Sequence, residues 1–439
     1  MKKIYFTICI AFLVANVFGQ TQINRCGYDH YIRQMNEKYP GFKKAVNQSF
    51  DYAQNNKPKS SGEIHTIPVV VHVVYNDETQ NLHDSVIHNQ IAVLNRDFQR
   101  LNADSIDLRP EFEPYAGRAN IEFKLATVAP DGSFTNGINR VYTDKTHFLE
   151  LIFGMLPNTE SIEDVKYTNR GGVDPWDVDH YMNIWVCNLE DENESPSVLG
   201  MATPPAGLPN WPADATPGMI DGVVIHYRSF GGNNPHPLVM GGQTFEVLGR
   251  TAVHEVGHYL GLRHIWGDAD MSGLNPSCNG DDGIADTPNA NTQASFVCNK
   301  TKNTCVDDID GVDLPDMVEN YMDYSNEPCQ VAFTKGQVEH MVSTLVNFRP
   351  GLLEDEVLSI QKDVVNEFVL YPNPANNIVV LKSKQFLNNT ISIVDLNGRT
   401  VKEVVANGYK TTIDIKDLSN GIYQVITEGI VGSTKLVKY

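Results

Sequence analysis

The most informative part of this 439-residue sequence is His254-Glu255-Val256-Gly257-His258-Tyr259-Leu260-Gly261-Leu262-Arg263-His264. On an α-helix, residues four apart lie on one face, so His254 and His258 can present two imidazoles to one metal ion. Glycine at position 261 can adopt a positive φ, which would end the helix and let His264 return as a third ligand. Three protein ligands with an open fourth position predict a catalytic Zn²⁺ site.

Glu255 follows the first histidine, so it is predicted to point at the open position of the metal. There it would act as general base toward the water that the metal activates. The alternative is an ordinary amphipathic helix with incidental histidines. All five fixed positions of the motif are present, and this favours the zinc site.

The formal net charge of −20 argues against two classes of partner. Nucleic acid and anionic membrane surfaces are both bound through positive charge, which this chain lacks. Its length leaves room for more than one domain, since domains average about 100 to 200 residues.

The N-terminus has the three parts of a signal peptide, which we place at residues 1–19. Lys2 and Lys3 precede an apolar run from Ile4 to Val17. A membrane anchor is the alternative, but the run is shorter than the ~20 residues that span a bilayer, and no other transmembrane segment is predicted. An oxidising destination outside the cytoplasm would permit disulfides among the remaining cysteines. These are Cys26, Cys187, Cys278, Cys298, Cys305 and Cys329. Cys187 is predicted to be a buried free thiol.

The segment up to residue 350 alternates strand and helix patterns, which favours a mixed α/β sheet. The predicted strands are Ile64–Tyr75, Ile121–Val128, Met182–Leu189 and Gly222–His226. The predicted helices are Tyr31–Asn47, Val86–Leu101, Phe245–Leu262 and Thr334–Phe348. Thr334 and Gln337 have the spacing of a capping box. Residues 55–62 are predicted to form an exposed linker.

Besides the histidine motif, a second element of the sequence resembles the metzincin metallopeptidases. Met322 in Asn320-Tyr321-Met322-Asp323-Tyr324 is similar to their Met-turn, although a methionine in a turn is alternatively a core residue. The same stretch, its flanking cysteines and Arg25-Cys26-Gly27 resemble the pappalysin family more specifically. This resemblance implies an α/β metzincin catalytic domain with a mixed twisted sheet, an active-site helix, a cleft and an irregular C-terminal subdomain.

The resemblance also implies roles for individual residues. Tyr324 would stabilise the oxyanion, or alternatively serve only as a wall of the site. Cys26 would be a cysteine switch that blocks the metal in a zymogen, with a disulfide as the alternative. Of the three possible pairings of the four clustered cysteines, the family implies Cys278 with Cys305 and Cys298 with Cys329.

A structural calcium site is expected in the segment between Ile265 and Asn320. It holds eleven acidic residues against two lysines, a local charge of −9. So many carboxylates in one segment repel one another unless cations bind between them. By resemblance to the family's calcium loop, the ligands would be Asp282, Thr287 and Asp286. A solvated acidic surface is the alternative.

Specificity is expected to depend on Glu327, which lies two residues before Cys329. The pappalysins place an acidic residue on the floor of the pocket for the residue after the scissile bond, so cleavage on the N-terminal side of Arg or Lys is expected. Activation would then occur before Lys57 or Lys59. Residues 198–202 are predicted to be an edge strand that pairs with an extended peptide substrate.

From Asn366 the sequence consists of short β runs separated by turns, typical of a small β-sandwich. Leu370-Tyr371-Pro372-Asn373-Pro374-Ala375 and Leu418-Ser419-Asn420-Gly421-Ile422-Tyr423 resemble the C-terminal sorting domain of type IX secretion. The alternative is an independent substrate-binding module. This resemblance implies a secreted or cell-surface protein that engages the type IX machinery.

We therefore expect a secreted monomeric zinc endopeptidase, made as a zymogen, that acts on proteins or peptides. The expected parts are a signal peptide (1–19), a pro-segment (20–59), a catalytic domain (60–350), a linker (351–365) and a sorting domain (366–439). The competing hypotheses are a zinc hydrolase of non-peptide substrates and an adhesion module with a vestigial metal site.

Overall fold

The computed structural model describes ten ranges of the chain. These are residues 25–58, 62–152, 156–191, 196–214, 219–267, 277–354, 368–387, 389–395, 399–427 and 433–439. The predicted signal peptide lies outside the described residues, as do Lys59, the acidic residues Asp268 and Asp270, and most of the predicted linker between the catalytic and sorting domains.

The N-terminal segment forms two helices where the sequence predicts one. They are α1 (Tyr28–Lys38) and α2 (Phe42–Asn55). Pro40 separates them, because proline lacks the N–H that a helix interior requires and restricts the residue before it. Helix α2 continues to Asn55, so this residue of the predicted linker is helical; residues 56–58 and 62 are exposed, and residues 59–61 lie outside the described residues.

Ten strands precede the histidine motif among the described residues. They are β1 (His65–Tyr75), β2 (Ile121–Leu125), β3 (Ile138–Tyr142), β4 (Glu150–Ile152), β5 (Leu156–Asn158), β6 (Met182–Cys187), β7 (Gly200–Ala202), β8 (Val223–His226), β9 (Leu238–Met240) and β10 (Gln243–Phe245). The strands β4 and β5 form one small antiparallel pair, and β9 and β10 form another.

The other six strands form the predicted mixed sheet, in the order β2-β1-β6-β8-β7 with β3 also paired to β1. All pairs are parallel except β7 with β8. Eight consecutive residues of β1, Ile67–Val74, are buried. A strand covered on both faces has an apolar run of this kind rather than an alternating pattern. Strand β7 lies at the edge of the sheet, as predicted for residues 198–202.

Four further helices are α3 (Asp84–Phe98), α4 (Thr159–Glu163), α5 (Arg250–Tyr259) and α6 (Lys335–Phe348). The predicted capping box at the start of α6 is present, with Thr334 and Gln337 bonded reciprocally. Helix α5 is shorter than predicted. Residues 243–245 belong to β10, and the carboxylate of Glu327 accepts the backbone N–H groups of Arg250 and Thr251, which fixes the first turn there.

Helix α5 packs against α3, β7 and β8. All ten of its residues are buried. The motif helix is thus held between the sheet edge and a second helix, and this fixes the positions of its side chains.

The C-terminal segment is the predicted β-sandwich. Its strands are β11 (Phe368–Tyr371), β12 (Ile378–Leu387), β13 (Thr390–Val394), β14 (Thr400–Val405), β15 (Gly408–Asp414), β16 (Gly421–Thr427) and β17 (Ser433–Lys438). One sheet has the order β11-β12-β15 and the other β14-β13-β16-β17. The first β run predicted from the sequence begins at Ile378, so strand β11 was missed. Side chains of both sheets, including Val379, Ile393, Ile413 and Val425, form a separate core.

Candidate metal centre

The three histidines of the motif converge on one point. Helix α5 places His254 and His258 on one face, and Gly261, with φ of +90°, turns the chain so that His264 returns. The Nε2 atoms of His254 and His264 are 3.3 Å apart, and that of His258 is 3.1 Å from each. All three side chains are buried.

The hydrogen bonds made by Nδ1 of His254 and His258 determine what the converging Nε2 atoms can bind. Nδ1 of His254 donates to the carbonyl of Tyr321 at 2.7 Å, and Nδ1 of His258 donates to that of Leu262 at 2.8 Å. Since Nδ1 carries the proton, Nε2 presents a lone pair. Burial also lowers the pKa of both imidazoles well below its usual value, so they are neutral. Buried lone pairs directed at one another repel unless a cation lies between them, and nitrogen donors of this type fit Zn²⁺.

Cys26 lies at the same point. Its Sγ and one nitrogen of each histidine lie within 4.8 Å of one another. The thiol donates to Oε2 of Glu255 at 3.3 Å and accepts from the N–H of Tyr28 at 3.3 Å. Burial, and then the Glu255 carboxylate, raise the pKa of the thiol well above its usual value. Three imidazoles and one sulfur form a donor set that a tetrahedral metal ion can use in full.

The residues next to Cys26 pair with the edge strand. Gly27 N–H donates to the carbonyl of Gly200 at 2.8 Å, and Leu199 N–H donates to that of Arg25 at 2.9 Å. The bridge between Cys26 and Gly200 is parallel. The edge predicted to pair with substrate is therefore occupied by residues 25–27.

Glu255 is buried between α5 and β7. A Cβ at position 200 would lie 2.6 Å from its Cγ, so this close approach requires the glycine found there. Burial raises the pKa of the carboxyl to about 8. Of its two oxygens, Oε1 has no hydrogen-bond partner among the described residues. The group that faces Cys26 thus has an oxygen available for a further donor.

Met322 and Tyr324 lie beneath and beside the histidines. A Cβ at Gly257 of α5 would be 2.5 Å from the Met322 sulfur, so this side chain packs directly under the motif helix. The Tyr324 ring is 4.9 Å from that of His264 between centroids. Its hydroxyl donates to the carbonyl of Cys26 at 3.4 Å, and its pKa is raised by burial.

The side chain of Arg25 occupies a buried site of its own. Its guanidinium donates to the Ser325 carbonyl at 2.7 Å, to Oε1 of Gln330 at 2.9 Å and to Oε1 of Glu327 at 3.4 Å. We call these three acceptors the Arg25 cradle. Arg25 is 1% exposed, although arginine is rarely fully buried unless paired.

Glu327 has a second role that the sequence prediction did not include. Its carboxylate accepts the N–H groups of Leu248, Arg250 and Thr251 and the hydroxyl of Thr251. It therefore caps α5 as well as contacting a basic side chain. Gln330, the nearer side-chain acceptor, was missed by the sequence prediction.

The expected calcium ligands are brought together only in part. Asp282 is 2% exposed, accepts the N–H of Ile284 through Oδ1 at 2.9 Å, and leaves Oδ2 without a hydrogen-bond partner among the described residues. Burial raises its pKa well above the usual value. Asp286 instead accepts the N–H of Gly336 in the first turn of α6, at 2.9 Å. Asp282 thus keeps an oxygen available and Thr287 contacts the hydroxyl of Thr334, whereas Asp286 is engaged with a helix.

Two disulfides link the irregular segment that follows the motif. They join Cys278 to Cys305 and Cys298 to Cys329, the same pairs that the family resemblance implies. Cys26 and Cys187 are free and buried. Cys187 lies in β6, and burial raises the pKa of its thiol.

The sequence prediction also missed Asp29. Its Oδ2 lies 3.1 Å from Nδ1 of His264. Only one feature of the sequence hinted at a role for Asp29, namely that it lies three residues after Cys26. That spacing does not by itself indicate a contact with the metal centre. Asp29 and His264 are too far apart in the sequence for a local pattern to predict their contact.

Comparison with known proteins identifies both parts of the chain. Residues 168–346 match the family model described as pregnancy-associated plasma protein-A, and residues 369–438 match that of the secretion system C-terminal sorting domain. An extracellular metalloprotease of Arthroderma benhamiae is 26% identical over 289 residues, which is 65% of this chain and 79% of the relative. One of Arthroderma otae is 39% identical over 114 residues, 26% of this chain and 38% of the relative.

Two solved structures are similar over most of their length. A mutant of Tannerella forsythia promirolysin is 37% identical, with a TM-score of 0.60, and the match covers 76% of this chain and 97% of that one. Mature mirolysin of the same organism, in complex with a cleaved peptide, is 41% identical with a TM-score of 0.54, covering 68% of this chain and 97% of that one.

These matches confirm the predicted localisation and enzyme class. The sorting domain directs export by type IX secretion, and the protein is extracellular. Among the described residues, no helix combines the length and apolar character needed to cross a bilayer. The chain belongs to the pappalysin family of zinc metalloendopeptidases.

Proposed function

We propose that this protein is a zymogen whose mature form cleaves proteins on the N-terminal side of basic residues, with Glu255 as the general base. The observation that carries the proposal is the convergence of three histidine Nε2 atoms and the Cys26 sulfur beside the Glu255 carboxylate. His254, His258 and His264 would hold the zinc ion. When bound, zinc lowers the pKa of a coordinated water and polarises a carbonyl.

The side chains around the zinc site would each have a separate role in the reaction. Glu255 accepts a proton from the attacking water and returns it to the leaving amine. The Tyr324 hydroxyl donates a hydrogen bond to the oxygen on which negative charge develops. Met322 packs under α5 and keeps the histidines in place. Strand β7 pairs with the backbone of an extended substrate.

Latency would come from residues 25–27. The Cys26 sulfur takes the position at which Glu255 would otherwise meet water, and the neighbouring residues block the edge of β7. Removal of the pro-segment would free both. We assign residues 1–19 to a signal peptide, 20–59 to the pro-segment, 60–350 to the catalytic domain, 351–365 to a linker and 366–439 to the sorting domain.

Support for a basic specificity comes from Arg25. Its guanidinium is fully buried against three acceptors, which form a site able to satisfy a planar cation. In the mature enzyme the Arg25 cradle would be open to an arginine or lysine of the substrate. Glu327 supplies the negative charge of this site, and an apolar side chain would leave it unpaired.

We also propose a structural Ca²⁺ ion bound by Asp282 and Thr287. The unpartnered Oδ2 of Asp282 is the type of hard oxygen ligand that calcium prefers. Asp286 would contribute its available Oδ1 while its Oδ2 caps α6. We expect the mature enzyme to act as a monomer.

The test begins with the purified zymogen, whose metal content should be one zinc ion per chain. After activation it should degrade casein, and a chelator should abolish this activity until zinc is restored. Mass spectrometry of products from a proteome-derived peptide library should show Arg or Lys after the cleaved bond. A metal-free zymogen, or casein cleavage that survives chelation, would contradict the proposal.

A further inference from the structure

The three histidines are not held in the same way. Two of them donate Nδ1–H to backbone carbonyls of the catalytic domain, those of Tyr321 and Leu262. The third, His264, faces Asp29 instead, with 3.1 Å between its Nδ1 and the carboxylate Oδ2. This nitrogen has no hydrogen bond of good geometry among the described residues, so the close approach of the Asp29 carboxylate is an ion-pair contact that a small rotation of either side chain would align.

Asp29 belongs to α1, within the proposed pro-segment. It is 7% exposed, and its other oxygen has no hydrogen-bond partner among the described residues. A buried carboxylate is costly unless it is paired with a positive or hydrogen-bonding group. The imidazole of His264 lies within reach of Asp29 and can be such a partner, so the two groups compensate each other.

A carboxylate behind a metal-bound histidine fixes the ring, keeps Nε2 directed at the metal and makes that nitrogen a stronger donor. His264 is also stacked on Trp266, with centroids 4.4 Å apart, but an indole ring face cannot accept the Nδ1 proton as a carboxylate does. The orientation of the third ligand thus depends on a residue that activation removes.

We propose that Asp29 is a positioning residue for the metal centre of the zymogen, so that the pro-segment holds zinc tightly during export and the mature enzyme holds it less tightly. This inference rests on the proposed zinc site. It adds a second function to the pro-segment beside the block by Cys26. Zinc would be bound most firmly before activation, and a chelator would remove it more readily afterwards.

The test measures zinc release from the full-length zymogen, without its signal peptide, into a colorimetric chelator. Glu255→Ala is present in every variant so that no self-cleavage occurs. Removing such a partner usually lowers metal affinity by about 10- to 100-fold, and we expect this loss in the dissociation rate, so Asp29→Ala should release zinc faster by a similar factor. Asp29→Asn should fall between, since an amide oxygen accepts without charge. Asp51→Asn, which changes an exposed carboxylate on α2, should match the parent.

A merely structural role for Asp29 predicts a different result. If Asp29 only docked Cys26, its substitution would have no effect once the thiol is absent. The comparison is therefore repeated with Cys26→Ala, where Asp29→Ala should still accelerate release by a similar factor. Circular dichroism of the zinc-loaded variants verifies that each is folded.

Two outcomes would overturn the inference, and they are distinguishable. Zinc that is bound but leaves the Asp29 variants at the parental rate, or an effect that disappears with Cys26→Ala, would refute the role of Asp29 alone. A zymogen that binds no zinc in any form would refute this inference and the proposed function together.

Discussion

The guanidinium of Arg25 lies 2.9 Å from the side-chain oxygen of Gln330, 305 residues later in the chain. The amide of Gln330 is held in this orientation, because its nitrogen donates to the carbonyl of Asp323 at 2.5 Å. An acceptor is thus directed at a basic side chain. A substrate arginine would meet the same oxygen once the pro-segment is gone.

Gln330→Leu should therefore reduce the preference for arginine after the scissile bond. A hydrogen bond to a charged group is worth about 1.5 to 3 kcal/mol, so we expect the ratio of kcat/KM for Arg and Lys peptides to fall about tenfold or more. Competition between the two peptides in one reaction measures this ratio independently of the amount of active enzyme. An unchanged ratio would contradict the role of Gln330.

Glu327→Gln is expected to weaken both specificity and stability. The carboxylate contacts Arg25 and also accepts three backbone N–H groups at the start of α5. Cleavage before basic residues should lose its selectivity, and the melting temperature should fall. The peptide library and a thermal denaturation curve measure the two effects. Retained selectivity would remove Glu327 from the specificity site.

Glu255→Ala should leave zinc bound while reducing turnover of casein by at least about 10²-fold, the usual contribution of a general base. The three histidines, and the carbonyls of Tyr321 and Leu262 that hold His254 and His258, are untouched by this change. Metal analysis and an activity assay on the mature form test both parts. Glu113→Ala, which changes an exposed carboxylate on another segment, is the control and should remain fully active.

Cys26→Ala should make the precursor partly active before cleavage, because the sulfur that contacts Glu255 is gone while residues 25–27 still pair with β7. Cys187→Ala removes the other free thiol, which lies in β6, and should leave the precursor latent. Hydrolysis of a small fluorogenic peptide by each uncleaved precursor measures latency. Equal latency of the two variants would refute the cysteine switch.

Calcium should raise the melting temperature of the mature enzyme by about 5 °C at saturating concentration. Asp282→Asn should remove this shift, since Asp282 is buried with an oxygen available. Asp286→Asn should retain part of it, because Asp286 is mainly engaged with Gly336. Differential scanning calorimetry with and without calcium provides the comparison. If calcium does not change the melting temperature of the unmodified enzyme, the calcium site is refuted and the acidic segment is a solvated surface.

The metal chemistry and the class of fold follow from local patterns in the sequence. The histidine motif spans eleven residues, and its helical spacing and glycine turn involve only neighbouring positions of the chain. The capping box of α6 and the β runs of the sorting domain were predictable for the same reason. Some helix boundaries predicted from apolar periodicity were wrong. Pro40 divides the predicted N-terminal helix into α1 and α2, and strand β10 includes the residue at which α5 was predicted to begin.

Other contacts around the metal centre depend on tertiary packing, and the sequence motifs did not predict them. Asp29 meets His264, and Arg25 meets Glu327 across 302 residues of sequence. Such contacts form because α1 and the edge of β7 are packed against α5 and the segment after Met322. Which residues meet in this way depends on how separate helices and strands pack together when they are buried. The spacing of residues along the chain does not indicate that packing.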